Sequence, residues 1–224
     1  MRYVIASSRK WHAEMAPRLQ AATGGEFIFI SSRQELTAER LAQIGPRYVF
    51  FPHWSFLIPA SIHEAFECVI FHMTDLPFGR GGSPLQNLIA RGIYQTKITA
   101  LKCVEQLDAG PVYLKKPLSL HGGAEEIYLR AAAVIEGMVA DLVRDEPLPQ
   151  EQQGEAVCFA RRKPEDGEIS RLSELAEVYD YIRMLDADGY PKAYLETEHF
   201  RLEFQRPALK AGKVTADVIF TRKG

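Results

Sequence analysis

The chain is poor in the features that announce chemistry most loudly. It has three cysteines, Cys68, Cys103 and Cys158, odd in number and far apart. No Cys-x-x-Cys pair and no Cys/His ligand spacing occurs, which argues against a disulfide framework or a structural zinc. Cys68 and Cys103 lie in apolar runs and are expected to be buried core thiols. No uninterrupted apolar run of about 18 residues is present, so no membrane-spanning helix is expected. Met1 to Ala6 is too short for the apolar region of a signal peptide and reads as a first strand, so the default expectation is a cytoplasmic location. Neither charge dominates: 27 Lys and Arg face 29 Asp and Glu, for a net charge of -2. That balance argues against a general nucleic-acid or membrane surface, though local basic patches stay open. No Gly-x-Gly-x-x-Gly and no Gly-x4-Gly-Lys-Ser/Thr occurs, which leaves a nicotinamide or nucleoside-triphosphate site without support. No serine or cysteine nucleophile with a local base is visible, no metal is required, and there is no internal repeat.

What is present is an ordinary globular composition, 46% hydrophobic and 25% charged over 224 residues. That is enough for one large domain, or one domain with an appendage. Apolar runs at Tyr3–Ser7, Glu26–Ile30, Arg47–Pro52 and Glu67–Phe71 read as strands. They alternate with helical patterns at Arg9–Ala22, Ser32–Ile44 and Pro59–Phe66, the second opened by Ser32 and Glu35 in capping-box spacing. Helix Ser83–Arg91, strands Lys97–Gln106 and Pro111–Leu118, and a long amphipathic helix Ala124–Asp145 follow. This rhythm predicts an α/β fold with a Rossmann-like, mostly parallel sheet covered on both faces. Residues 1–146 are expected to form that domain, 147–158 a Pro- and Gln-rich linker, and 159–224 a small C-terminal α+β extension packed on the first domain. The extension should hold a helix at Leu172–Leu185 and strands at Ala193–Glu203 and Lys213–Arg222.

Ligands of open α/β sheets bind beyond the carboxyl ends of the strands. His72 stands at such an end, where the run Cys68-Val69-Ile70-Phe71 gives way to Met73-Thr74-Asp75-Leu76-Pro77-Phe78-Gly79-Arg80-Gly81-Gly82-Ser83-Pro84. A carboxylate, Asp108, opens a second turn, Asp108-Ala109-Gly110. A lone histidine at a strand end is more often a loop hydrogen-bonder than a catalyst, and Asp-x-Gly is commonly a plain turn. Asp75 suits substrate contact or helix capping equally. Trp54 and Phe56, after the third strand, suit a flat ligand or the core, and His53 is a candidate second proton donor. The basic run Arg161-Arg162-Lys163 fits a phosphate or a solvated face paired with Glu165 and Asp166.

Taken together these segments resemble the folate-dependent formyltransferase superfamily, whose pattern is Asn-x-His-x-Ser-x-Leu-Pro followed by Arg-Gly and a proline. His72, Thr74 in place of Ser, Leu76, Pro77, Arg80, Gly81 and Pro84 fall in register, and Thr99, Asp108 and Gly110 match the family's second element. Arg161 to Asp166, Ile182-Arg183 and Tyr190 to Ala193 look like the segment that follows the catalytic part of methionyl-tRNA and sugar formyltransferases. The resemblance covers roughly residues 1 to 195. It implies transfer of a formyl group from 10-formyltetrahydrofolate to a primary amine, without a metal. His72 would transfer the proton, Asp108 would orient it, and Thr74 is a substitute donor. Trp54, Leu57, Pro77, Gly81 and Leu107 are expected to bind the folate, and Asp75, Arg80 and Asn87 the amine substrate.

One position departs from the pattern. Ile70 stands where the family has the Asn that donates to the formyl oxygen. Losing such a donor costs about 2.7–4 kcal/mol of transition-state stabilisation. Asn87, Thr74, a loop amide or protonated His72 are candidate replacements, and a formyl-folate hydrolase or a catalytically impaired binding homologue are the alternatives this departure keeps open. The short tail and slight acidity point to an amino-sugar nucleotide as acceptor and disfavour tRNA, because methionyl-tRNA formyltransferases are longer and carry a basic C-terminal domain. A homodimer is left open.

Overall fold

The computed structural model describes residues 1–224, apart from the side chain of Lys10. In chain order the elements are β1 (Arg2–Ser7), α1 (Met15–Thr23), β2 (Glu26–Ile30), α2 (Ala38–Ile44), β3 (Tyr48–His53), α3 (Ala60–His63), β4 (Cys68–His72), β5 (Phe78–Gly81), α4 (Pro84–Ile89), β6 (Gln95–Lys102), β7 (Val112–Ser119), α5 (Ala124–Asp145), β8 (Val157–Phe159), α6 (Leu175–Met184), β9 (Ala193–Glu196), β10 (Phe200–Lys210) and β11 (Lys213–Arg222). The chain divides into two compact units, each discontinuous in sequence: Met1–Arg80 with Lys97–Leu118 and Leu129–Cys158, and Gly81–Thr96 with Ser119–Tyr128 and Phe159–Gly224.

The first unit is built on a six-stranded sheet in the order β2-β1-β3-β4-β6-β7. β1 pairs in parallel with β2 and β3, and β3 with β4, whereas β6 is antiparallel to β4. The fold is therefore α/β with a mostly parallel, mixed sheet, as expected. The apolar runs explain it: Val4, Ile5, Ala6, Val49, Phe50, Phe51, Cys68 and Val69 are all buried, which requires cover on both faces. One face carries an apolar cluster of Val4, Ala6, Ile30, Leu41, Val49, Phe51, Ile62 and Cys68.

At the carboxyl edge of this sheet a polar cluster replaces the apolar one. The hydroxyl of buried Ser7 lies 2.6 Å from His12 Nδ1 and 3.1 Å from the His53 carbonyl, and it accepts from the Arg9 amide at 3.1 Å. These bonds confine the chain after β1 to a short 3-10 turn at Lys10–His12, so the expected helix from Arg9 begins only at Met15. The helix expected from Ser32 also starts late. Ser32 Oγ does accept from the Glu35 amide at 3.3 Å, but this closes only a turn. Thr37, accepting from the Arg40 amide, is the cap of α2. The stretch 147–158, expected as a linker, makes specific contacts in the first unit: Gln150 and Val112 exchange backbone hydrogen bonds of 2.7 and 2.8 Å, and the Val157 amide donates to the Pro77 carbonyl.

In the second unit β9, β10 and β11 form an antiparallel sheet. The single strand expected over Ala193–Glu203 is broken by a turn in which Thr197 and Phe200 bond each other's backbone and side-chain groups. Arg183 of α6 is buried, with Nε 2.6 Å from Asp180 Oδ1 and Nη1 donating to the Leu120 and Gly122 carbonyls. Tyr94 and Tyr179 flank its guanidinium.

Two outcomes follow from this packing. Arg183→Met should lower stability by about 3–5 kcal/mol in urea unfolding, since it leaves the buried Asp180 carboxylate without its charged partner, with only the Tyr94 hydroxyl still donating to it; a loss under about 1 kcal/mol would contradict the assignment. Burial first, then His53 and Arg9, lowers His12 to about 3, and burial with Arg9 lowers His53 to about 4. The unfolded chain therefore takes up protons below about pH 6.5 that the folded chain refuses until near those lower values. Stability should fall as pH drops from about 7 to about 5, and less steeply in His12→Gln, as read from urea midpoints at each pH.

Candidate active site

His72 closes β4, directly opposite Thr99 of β6 in the antiparallel register. Thr99 then fastens the loop that follows: its hydroxyl donates to the Thr74 carbonyl at 2.7 Å and accepts from the Leu76 amide at 3.4 Å. The Leu76–Pro77 peptide is cis. The loop turns back so that His72 Nε2 lies 2.7 Å from the Gly79 carbonyl. A carbonyl only accepts, so Nε2 carries hydrogen, and Nδ1 is left facing Asp108 Oδ2 at 3.5 Å. Both side chains are more than nine-tenths buried. The two residues singled out from distant parts of the sequence thus meet as an imidazole–carboxylate pair.

The turn that carries Asp108 is held from two sides. Asp108 adopts a left-handed conformation at φ 53°, which Asp tolerates better than most residues. At Gly110 a Cβ would lie 1.9 Å from the Lys102 carbonyl, so only glycine lets the turn approach the end of β6. From the other side, Gln152 Nε2 donates to the carbonyls of Asp108 and Gly110 at 2.8 and 2.9 Å. The guanidinium of Arg80 holds Gln152 in turn, donating to its Oε1 at 3.1 and 2.8 Å. Gln152 had no signal in the sequence, because it lies in a stretch read as linker and acts only through backbone groups that folding brings to it.

The remaining expected residues divide. Arg80 is engaged with Gln152. Asp75 forms ion pairs with Lys115 at 2.6 Å and Lys97 at 2.9 Å, and Lys115 also donates to the Leu76 carbonyl. Burial raises the Asp75 carboxyl, but the two ammonium groups outweigh it and hold it below its ordinary range. Thr74 Oγ1 donates to the Gly79 carbonyl at 3.4 Å. In the second unit, Asn87 spends both amide hydrogens on the Gly82 and Ala160 carbonyls and accepts from Arg91. Gly81, at φ 101°, passes so close to the Phe159 carbonyl that a Cβ would lie 2.5 Å from it. Cys68 and Cys103 are buried, and burial raises both thiols, Cys103 to about 11, so neither is a poised thiolate.

The expected ligand-binding residues include groups suited to an apolar, ring-bearing ligand. Leu57 and Leu107 are exposed, as are Phe56 and, more marginally, Phe78. Trp54 follows β3, with Phe51 and Phe56 meeting its ring edge-on at 5.9 and 5.6 Å. Its Nε1 is buried and has no hydrogen-bond partner, a state that ordinarily costs about 1–3 kcal/mol unless an acceptor arrives. An orphaned donor beside exposed apolar side chains fits a ligand with both an aromatic ring and carbonyl oxygens. Among the described residues, no group of His, Cys, Asp and Glu is arranged to hold a metal, and no helix is long and apolar enough to cross a membrane.

Comparison with known proteins identifies the family. Residues 164–221 match the family model of the methionyl-tRNA formyltransferase C-terminal domain. The solved methionyl-tRNA formyltransferase from Clostridium thermocellum superposes with a TM-score of 0.96 and 47% identity, covering 100% of both chains. Methionyl-tRNA formyltransferase of Syntrophomonas wolfei subsp. wolfei is 28% identical over 192 residues, 81% of this chain and 61% of that protein, so the chain spans less than two thirds of that relative. A sugar N-formyltransferase from Shewanella, with a TM-score of 0.73 and 16% identity, shares the fold. These findings correct the acceptor expected from the sequence. The amino-sugar nucleotide was favoured, and tRNA disfavoured, on a short tail and a slight negative charge. Yet a structure matched end to end, and so equally short, is named for methionyl-tRNA, and the tail itself matches that family's C-terminal domain. The chain belongs to the folate-dependent formyltransferase superfamily.

Proposed function

We propose that this chain transfers a formyl group from 10-formyltetrahydrofolate to the amino group of methionyl-tRNA. The acceptor rests on the likeness over the whole length of both chains to the Clostridium thermocellum protein of that name. The chemistry rests on one observation, the buried His72–Asp108 pair beside a loop tied down by Thr99.

When bound, the folate supplies the formyl group: a C–N bond to the amine forms as the C–N bond to the folate breaks, and one amine proton ends on the folate nitrogen. His72 is the residue that moves that proton, since an imidazole exchanges protons near neutral pH. Asp108 orients the ring through Nδ1, and Nε2, which gives its hydrogen to the Gly79 carbonyl in the free protein, is the nitrogen that turns to the substrate when it is bound. The cage of Gln152, Arg80 and Gly110 keeps the carboxylate where the ring needs it. Trp54, Leu57, Pro77 and Leu107 would line the folate, the exposed apolar surface of Leu57 and Leu107 covering its rings and excluding water. Asp75 and Arg80, bound to lysines and to Gln152, shape the loop and its support.

Purified protein given 10-formyltetrahydrofolate and methionyl-tRNA should produce formylmethionyl-tRNA, detected by acid gel or mass spectrometry. Formate release at the same rate without the amine would overturn this reading. His72→Asn and Asp108→Asn should each lower kcat by at least about 100-fold with unchanged melting temperature. Asn also accepts the left-handed backbone at 108, so the second change removes charge without straining the turn. Near-normal turnover in either variant would remove that residue from the mechanism.

A further inference from the structure

Ile70 has no side-chain hydrogen to give, and two of the side chains expected to replace it, Thr74 and Asn87, are committed elsewhere. Thr74 donates to the Gly79 carbonyl, and both amide hydrogens of Asn87 go to backbone carbonyls. One buried donor on the side of the sheet that carries Ile70 has no acceptor. β3 and β4 run in parallel with Phe51 opposite Ile70. Val49, Phe51 and Cys68 belong to one apolar cluster on that face, and Ile70 and Trp54 both pack against it. Side chains alternate along a strand, so His72, two residues beyond Ile70, continues the same face. Trp54 therefore stands over the face that carries Ile70 and His72. Its Nε1–H, which can only donate, is buried without a partner.

Buried donors are rarely left unpaired, and those that are call for an explanation. We propose that Trp54 Nε1–H donates to the carbonyl oxygen of the bound formyl group and so takes the part of the amide that position 70 lacks, an inference that rests on the formyl-transfer reading above. The donor matters most as negative charge gathers on that oxygen during attack by the amine, when a preplaced N–H binds it more tightly than in the ground state. Phe56, exposed and outside regular structure, is the ring that meets Trp54 edge-on from the solvent side. Burial keeps the adjacent His53 neutral at physiological pH, so no cationic imidazole competes for the oxygen.

Trp54→Phe keeps the ring and deletes the hydrogen. Binding of 10-formyltetrahydrofolate and of tetrahydrofolate to the intact protein, without amine, is measured by calorimetry. The variant should bind the formylated form about 3–10-fold more weakly and tetrahydrofolate within about twofold of wild type. Its kcat should fall about 100-fold, and adding Ile70→Asn to Trp54→Phe should recover at least about tenfold. Equal weakening toward both ligands would mean that Trp54 only packs, and unchanged binding of both would likewise overturn the inference. A wild-type protein that binds neither form overturns the formyl-transfer reading together with this one. Wild-type binding with unaltered discrimination in the variant overturns this inference alone.

Discussion

The turn at Asp108–Gly110 can press against the end of β6 only because Gly110 has no side chain. Its would-be Cβ falls 1.9 Å from the Lys102 carbonyl oxygen, and the Lys102 amide donates to the carbonyl of Pro111 immediately beyond it. That approach brings Asp108 to His72, and the rest of the site is organised to keep it there. Gln152 grips the turn from the far side and Arg80 grips Gln152. Thr99 anchors the loop whose Gly79 carbonyl takes the other nitrogen of the imidazole. In the free protein His72 is thus held at both ends, by a backbone group and by a carboxylate, with both side chains buried. A proton-transfer group gains from such rigidity, because orientation is settled before the substrate arrives.

The same economy explains what the site lacks. A loop that spends its polar side chains on holding itself, with Thr74 on Gly79 and Asp75 on two lysines, has few hydrogens left for a ligand. Ile70 removes one more. The orphaned indole of Trp54 stands out against this background, since it is the donor on that face that the fold leaves unused.

Some of this was legible in the chain and some was not, for particular reasons. The strand that ends in His72 announced itself because a continuous apolar run stops abruptly at an ionisable residue and a Pro/Gly loop. α5 was recovered over its full span from the 3.6-residue stripe alone. Ser32 misled, because a capping hydroxyl satisfies a local N–H whether or not a helix follows, and Thr37 won by having the apolar face of α2 behind it. β5 and β8 escaped notice, since each is only a few residues long and their pairing joins segments far apart in the chain. The acceptor was misjudged because tail length and net charge are bulk quantities, and neither reports which surface meets a substrate.

By itself the sequence determined the α/β class, the position of His72 at a carboxyl end, the Asp-x-Gly turn and the absence of an amide at position 70. These are local facts, set by periodicity, by turn-forming residues and by the identity of one side chain. Only the tertiary structure decided that Asp108 reaches His72, that Gln152 and Arg80 hold the turn, that Thr74 and Asn87 are spent, and that Trp54 keeps a hydrogen with nowhere to go. Each of those depends on a partner far away in the chain, and a hydrogen bond is directional over about 3 Å, a precision that no pattern along the sequence can carry.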